Sequence, residues 1–195
     1  MTFKIDKFDW QYLIPLSTIV FIFIGTDVFG LLEKMDLAYF SGRLFFQPYR
    51  ILTSHFVHYD QNHLLANSFG IVIARYFLKE LKLKSKSFVL ALIPLLIVSQ
   101  SCFQWLVDIY IFGNRMSLLI GFSGILYGIN SFILLSSIYG KEKFLNLHIG
   151  LSRNPKVCNA ISVLIGLGLC FSLLPKISLT GHLTGLVAGV LLFFF

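Results

Sequence analysis

The sequence predicts an all-α membrane protein in which six helices cross the bilayer. Of the 195 residues, 56% are hydrophobic and only 13% are charged, whereas a soluble domain has about 25% charged residues. Six segments contain the roughly 20 mainly apolar residues that a membrane-crossing helix needs. None of them alternates apolar and polar residues as the strands of a membrane barrel do, so each is predicted to be a helix.

The predicted spans follow one another with short connections, which indicates a single domain covering residues 1–195. Their approximate ranges are residues 12–32, 58–78, 88–107, 118–139, 157–174 and 177–195. The first span lacks the small-residue cleavage site of a signal peptide, so we expect it to be retained. The longest connection, residues 33–57, contains apolar and aromatic stretches and is expected to lie in the membrane interface.

Positive charges predict the orientation of the chain. The net charge of +7 comes from basic residues spread over short connections, a pattern that argues against nucleic-acid binding. Eleven of the 16 basic residues fall on the side that holds both termini: Lys4, Lys7, Arg75, Lys79, Lys82, Lys84, Lys86, Lys141, Lys143, Arg153 and Lys156. The opposite side has Lys34, Arg43, Arg50, Arg115 and Lys176. Because cytoplasmic connections carry the excess of positive charge, both termini are predicted to be cytoplasmic.

Four polar residues stand out within the apolar segments. His63 and Asn67 lie in the second predicted span. Ser123 lies in the fourth and His182 in the sixth. These three spans begin on the extracytoplasmic side, so each residue is about one or two helical turns below that surface. Polar groups are costly inside a membrane span, and their occurrence at one depth predicts a functional site.

The four residues have the chemistry of a serine hydrolase. Ser123 is the candidate nucleophile, and His182 is the candidate base because an imidazole titrates near neutral pH. No Asp or Glu lies at a matching depth in a neighbouring span, so we predict a Ser–His dyad. Tyr127 follows Ser123 by four residues on the same helix face and is predicted to stack on the imidazole or orient it.

Hydrogen-bond donors for an oxyanion are also present. His63 and Asn67 are four residues apart and therefore project from one face of their helix. One donor to the oxyanion of a tetrahedral intermediate typically contributes about 3–4 kcal/mol. The backbone N–H of Ser123, at a helix start, is a third candidate donor. Gly121 and Gly124 are predicted to let a substrate backbone approach the serine closely.

Glycines predict which helices meet. Two stripes have a period of four residues, with Gly124 and Gly128 in the fourth span and Gly181, Gly185 and Gly189 in the sixth. Such stripes allow membrane helices to approach closely. Contact between the fourth and sixth spans would bring Ser123 to His182.

Metal binding and simple packing are the alternatives. His55, His58 and His63 could instead bind a metal ion, but the H-E-x-x-H motif of metalloproteases is absent. The three cysteines lack the spacing of a zinc site, so we expect neither a metal nor a cofactor. A single serine in a span more often bonds to its own helix, and a single histidine more often serves packing. The hydrolase hypothesis therefore depends on Ser123, His182, His63 and Asn67 occurring together.

His148 is expected to be solvated in a cytoplasmic connection.

Three stretches are similar to the motifs of the rhomboid intramembrane serine proteases. Residues 58–67, HYDQNHLLAN, match the pattern H-x4-H-x3-N. Residues 121–128, GFSGILYG, match G-x-S-G followed by a tyrosine, and residues 181–189, GHLTGLVAG, resemble A-H-x-x-G-x-x-x-G. Tyr49-Arg50 resembles the aromatic–arginine pair that precedes the second span in that family.

The resemblance implies a rhomboid-like six-helix bundle and a serine endopeptidase that cleaves transmembrane protein substrates in the lipid bilayer without a cofactor. It implies that Ser123 is the nucleophile and His182 the base. It also implies that His63 and Asn67 complete the oxyanion hole and that His58 supports the site. A minimal six-span chain of this kind is expected in the bacterial inner membrane.

The sequence departs from the family pattern at three positions. Tyr49 replaces the usual tryptophan, Gly181 replaces an alanine, and Ser178 occupies a position that is usually glycine. None of these residues is a reacting group. Residues 53–58, TSHFVH, are also similar to rhombosortases, relatives that process proteins with a Gly-Gly C-terminal anchor.

Two other functions are compatible with a helical membrane bundle. A non-catalytic, rhomboid-like protein would bind client helices, but such pseudoproteases usually lack the serine or the histidine, and both are present here. A small transporter would need a continuous polar pathway, for which the inner halves of the spans offer few residues apart from Asn130 and Ser131.

Overall fold

The computed structural model describes residues 9–175 and 177–195. Lys4, Lys7 and Lys176, which contributed to the predicted orientation, lie outside the described residues. Within the described ranges the chain forms eight α-helices and four short strands. In chain order they are α1 (Trp10–Phe23), α2 (Lys34–Leu37), β1 (Tyr39–Phe40), α3 (Arg50–Thr53), α4 (Gln61–Glu80), α5 (Phe88–Leu106), β2 (Leu118–Leu119), α6 (Ser123–Tyr139), β3 (Lys141–Phe144), β4 (Leu147–Leu151), α7 (Pro155–Phe171) and α8 (Leu179–Phe193).

Each predicted apolar segment overlaps with one long helix, namely α1, α4, α5, α6, α7 or α8. Within the described residues, two helical stretches are long and apolar enough to cross a membrane by themselves, Trp10–Val28 and Phe88–Ile111. Each includes a final π-helical turn after its α-helix. Helices α6, α7 and α8 are apolar but shorter, with 17, 17 and 15 residues.

The helices that carry the predicted site begin later than the sequence analysis placed them. Helix α4 begins at Gln61 rather than at residue 58, because the Asp60 side chain accepts a hydrogen bond from the backbone N–H of His63 and caps the helix. Helix α8 begins at Leu179 because Ser178 caps it in the same way through the N–H of Gly181. The predicted starts at residues 58 and 177 were therefore wrong by two or three residues.

Helix α6 begins five residues after its predicted start at residue 118. Leu118–Leu119 instead form strand β2, which pairs antiparallel with Tyr39–Phe40 of β1. This pairing ties the segment before Ser123 to the long outer connection. As a result, Ser123 becomes the first residue of α6, where backbone N–H groups lack partners within the helix.

Helix α6 lies at the centre of the bundle, with 11 of its 17 residues buried. It contacts α4, α5, α7 and α8, and its most extensive contact is with α8. A Cβ atom added at Gly185 would overlap the carbonyl oxygen of Gly124, and one added at Gly189 would overlap that of Gly128. The predicted glycine-mediated contact between these two helices is confirmed.

The end of the bundle opposite Ser123 is closed by a β-hairpin that the sequence analysis treated as a loop. Strands β3 and β4 pair antiparallel and carry Phe144 into the core, where its ring contacts Phe88 and Phe132 with centroids 5.4 and 5.5 Å apart. Phe193 of α8 contacts Phe132 at 5.6 Å. His148, expected to be solvated, is exposed and lies 3.1 Å from Glu142.

The connection between α1 and α4 is ordered by a buried arginine. Arg50 is 2% exposed and donates to the backbone carbonyls of Met35 and Ala38. Nearby, the Tyr39 hydroxyl donates to Asp108 at the end of the third long helix. Burial, with Asp108 beside it, raises the pKa of Tyr39, which keeps this hydroxyl a donor. These contacts hold the connection in place beside the segment that leads to Ser123.

Candidate active site

The structure brings together Ser123 and His182, which are 59 residues apart in the chain. The Ser123 hydroxyl oxygen lies 2.9 Å from Nε2 of His182. Ser123 starts α6, and His182 lies in the first turn of α8 with 8% of its surface exposed. The distance lets the imidazole accept the hydroxyl proton, which is the arrangement that activates a serine nucleophile.

Tyr127 lies against the imidazole, as expected for an aromatic residue one turn after Ser123. The two rings are nearly parallel, with centroids 4.3 Å apart and an interplanar angle of 22°. Tyr127 is mostly buried, and its hydroxyl occupies the space above Gly168 of α7. The ring therefore restricts the rotation of His182 about its side-chain bonds.

Ser172 is a site residue that the sequence analysis missed. Its hydroxyl oxygen lies 2.5 Å from Nδ1 of His182, on the side of the ring opposite Ser123. Ser172 directly follows α7 and is 2% exposed. A signal for it was present, because the fifth predicted span runs outward and ends with a single hydroxyl at the depth of His182. The sequence analysis instead predicted that Tyr127 orients the imidazole in the absence of a carboxylate.

His63 and Asn67 project from α4 toward the loop before Ser123. A Cβ atom added at Gly121 would overlap the His63 ring and would lie 3.5 Å from the side-chain nitrogen of Asn67. Gly121 also has φ +112°, a conformation that favours glycine. Both predicted donors thus reach the backbone two residues before the candidate nucleophile.

Gly121 and Gly124 both lie against other parts of the protein. The absence of a side chain at Gly121 makes room for His63. At Gly124 an added Cβ would lie 3.0 Å from Gln100 and 3.1 Å from the carbonyl oxygen of Gly181, so this glycine serves helix packing, as its place in the glycine stripe predicted. That the two glycines also let a substrate backbone approach Ser123 stays a prediction.

Asn67 has an unused donor. The residue is 3% exposed, and its side-chain nitrogen has no hydrogen-bond partner among the described residues. A buried amide without a partner costs free energy, on the order of 1–3 kcal/mol. Such a cost is typical of a group that is held ready for a ligand.

The tautomer of His63 follows from its neighbours. Its Nδ1 accepts a long hydrogen bond, 3.5 Å, from the backbone N–H of Tyr59. With Nδ1 as acceptor, the neutral ring carries its proton on Nε2, and this atom is the one that lies next to Gly121. His63 can therefore donate a hydrogen bond on the side that faces Ser123.

His58 supports His63 from the connection that precedes α4. It lies in the connection before α4, is fully buried, and its ring meets that of His63 edge to face with centroids 5.1 Å apart. Its Nδ1 lies 3.2 Å from the carbonyl oxygen of Phe56. These contacts limit the movement of the His63 ring.

The histidines are not arranged as a metal site. In the described part of the chain, no group of three or more His, Cys, Asp or Glu residues could hold a metal ion. His55 is turned away from the other two histidines that the sequence analysis considered and lies 3.1 Å from the hydroxyl of Ser101 in α5.

A polar network on α5 holds the start of α8. Gln100 donates to the carbonyl oxygen of Gly181 at 3.4 Å. Gln104 donates to Thr180 at 3.2 Å and accepts from Thr184 at 3.1 Å. Thr180 and Thr184 lie two residues before and after His182. These contacts fix the helix turn that carries the imidazole.

Residues 46–195 match the family model of the Rhomboid domain. This range covers more than three quarters of the chain and includes all of the candidate site residues. The chain belongs to the rhomboid family. No curated protein matches the sequence of this rhomboid.

Membership of this family makes the chain an integral membrane protein with a helical fold. Rhomboids are in general intramembrane serine proteases that act on transmembrane substrates in the bilayer, and some members are inactive.

Proposed function

We propose that this rhomboid is an active intramembrane serine endopeptidase in which Ser123 attacks the peptide bond and His182 acts as the base. The observation that carries the proposal is the 2.9 Å contact between the Ser123 hydroxyl and Nε2 of His182. A protein that only bound client helices would have no need for a serine paired with a histidine. The unused amide donor of Asn67 beside the same loop supports the proposal.

The first half of the reaction forms an acyl-enzyme. The Ser123 oxygen bonds to the carbonyl carbon of the substrate while its proton moves to Nε2 of His182, and the carbonyl electrons move to the oxygen. When this intermediate collapses, the C–N bond breaks and the proton on Nε2 passes to the leaving amine. In the second half, water attacks the ester by the same steps and releases Ser123.

The oxyanion of the intermediate has three candidate donors. They are the amide of Asn67, Nε2–H of His63 and the backbone N–H of Ser123 at the start of α6. The positive end of the α6 dipole adds to their effect. Donors that are oriented before the reaction stabilise the transition state without a reorganisation cost, which is the largest contribution in many hydrolases.

The membrane arrangement is part of the proposal. Six spans, formed by α1, α4, α5, α6, α7 and α8, would form one domain with both termini in the cytoplasm of a bacterial cell. The candidate site then lies near the extracytoplasmic face, where water can reach the acyl-enzyme. The substrate would be a transmembrane protein whose outer end unwinds, because the peptide bonds of an intact helix are shielded.

A cleavage assay in liposomes tests the proposal against the client-binding alternative. Wild-type protein should cleave a transmembrane peptide, and Ser123→Ala and His182→Ala should not. Ser137→Ala is the matched control, because Ser137 is a buried serine at the other end of α6 whose hydroxyl donates to the carbonyl oxygen of Leu134 in the same helix. Peptide retention without cleavage by the folded wild-type protein would favour a client-binding protein and contradict the proposal.

A further inference from the structure

The contact between Ser172 and His182 explains how the histidine works without a carboxylate. The two hydrogen-bond partners of the imidazole in the described structure are both serines, Ser123 at Nε2 and Ser172 at Nδ1. The second contact is the shorter one, at 2.5 Å. Ser172 comes from α7, a helix that the sequence motifs of the site do not include.

The proton of Ser172 is used elsewhere, and this determines the tautomer of His182. The Ser172 hydroxyl donates to the backbone carbonyl of Gly168 at 2.7 Å. A serine hydroxyl has one proton, so Ser172 can only accept at the contact with Nδ1. The neutral imidazole then carries its proton on Nδ1 and leaves the lone pair of Nε2 free for the proton of Ser123.

The position of Ser172 also favours the charged form of His182 that arises during the reaction. When Nε2 takes the proton of Ser123, the ring becomes a cation. Ser172 caps the C-terminal end of α7, a helix of 17 residues, and this end carries partial negative charge on its last carbonyl groups. The imidazolium therefore forms at the end of a helix dipole that stabilises a positive charge.

We propose that Ser172 is a positioning residue that fixes the base tautomer of His182 and links the end of α7 to the imidazolium. The proposal rests on the proposed function, since it concerns the same Ser–His pair. The site is then a Ser–His–Ser chain of hydrogen bonds that runs from Ser123 to the carbonyl of Gly168. Ser172 does not touch the substrate, because it lies on the far side of the ring from Ser123.

Kinetics of Ser172→Ala test this role. The variant should cleave the transmembrane peptide with a kcat lowered on the order of 10- to 100-fold, as for loss of a hydrogen bond to a charged group. Its KM should stay within about twofold of the wild-type value, because substrate contacts are intact. Ser172→Thr keeps the hydroxyl and should restore most of kcat. Ser137→Ala, which removes an equally buried hydroxyl with only a local bond, should match the wild type.

The tautomer can be measured in the wild-type protein, so the test does not depend on a variant that folds. Nitrogen-15 NMR of histidine-labelled protein in detergent should show His182 with Nδ1 protonated, and His182→Asn identifies the signal by its loss. A wild-type kcat in Ser172→Ala, or a proton on Nε2 in the neutral ring, would overturn the inference. Absence of cleavage by the wild type would instead contradict the proposed function, and the tautomer would still test the contact.

Discussion

Helices α8 and α7 both reach His182, but they are held in the bundle in different ways. Eight of the 15 residues of α8 are buried, and its glycines lie against the backbone of α6. Only two of the 17 residues of α7 are buried, Val157 and Ile161, and both lie in its first half. The C-terminal end of α7 meets the site through Ser172, which directly follows the helix, and through Gly168, which contacts Tyr127.

This difference in burial and contacts indicates that α8 and α7 have different roles in the site. Helix α8, which carries His182, packs closely against the backbone of α6, and this holds His182 against Ser123. Helix α7, which is directly followed by Ser172, is held at that end by a few side-chain contacts. Changes on α8 should therefore affect the fold, whereas changes at the end of α7 should affect the rate of the reaction.

The largest expected effect comes from a side chain placed between α6 and α8. Gly185→Val would drive a side chain into the carbonyl oxygen of Gly124, so the helices must separate. We expect destabilisation by about 1–3 kcal/mol or more, together with loss of activity. Unfolding in mixed detergent and SDS, followed by circular dichroism, measures the change.

Gly166→Val on α7 is the matched control for this prediction. An added Cβ at Gly166 meets no atom within 4 Å, so the same substitution should change the free energy of unfolding by less than about 0.5 kcal/mol. Equal destabilisation by the two substitutions would show that the contrast between the helices is wrong.

The next largest effect is expected for a residue of α4, a helix that is not part of the comparison between α8 and α7. Asn67→Ala should lower kcat by about 10²–10³-fold, the usual consequence of losing one oxyanion donor. The free energy of unfolding should not fall, because the amide nitrogen has no partner to lose. Peptide cleavage and SDS unfolding of the same preparation check both statements, and a loss of stability without a change in kcat would assign Asn67 to the fold.

The smallest effect should come from Tyr127→Phe, which separates the contributions of the two helices. Phenylalanine keeps the ring stacked on His182 and removes the hydroxyl, which lies near Gly168 and has a hydrogen-bond interaction with Ser172, so we expect less than about a tenfold fall in kcat. Tyr127→Leu removes the stacking as well and should lower kcat further. If the two variants were equally impaired in the cleavage assay, the hydroxyl rather than the ring would be the important part.

Much of this arrangement could be predicted from the sequence, because it depends on local signals. Apolar segments gave the long helices, and the period-four glycines gave the contact between α6 and α8. The structure also brings Ser123 and His182 together, as those glycines implied. Each of these features follows from residue types at regular spacing within one helix.

The features that were missed depend on contacts between distant segments. The pairing of β1 with β2, which delays the start of α6 to Ser123, joins segments about 80 residues apart. Ser172 is a common residue type without a motif; its depth in the fifth predicted span was a weak signal, and the packing of α7 was needed to establish its contact with His182. The contact of the His63 ring with Gly121 was also missed, because the position of this ring cannot be known before α4 and the loop are brought together.

Labelling with a fluorophosphonate probe tests the central claim most directly, because the probe reacts only with an activated serine. Purified wild-type protein in detergent should be labelled at Ser123. Ser123→Ala and His182→Ala should remain unlabelled while staying folded, and Ser137→Ala should be labelled like the wild type. Labelling of His182→Ala at the wild-type rate, or no labelling of the folded wild-type protein, would contradict the claim that His182 activates Ser123.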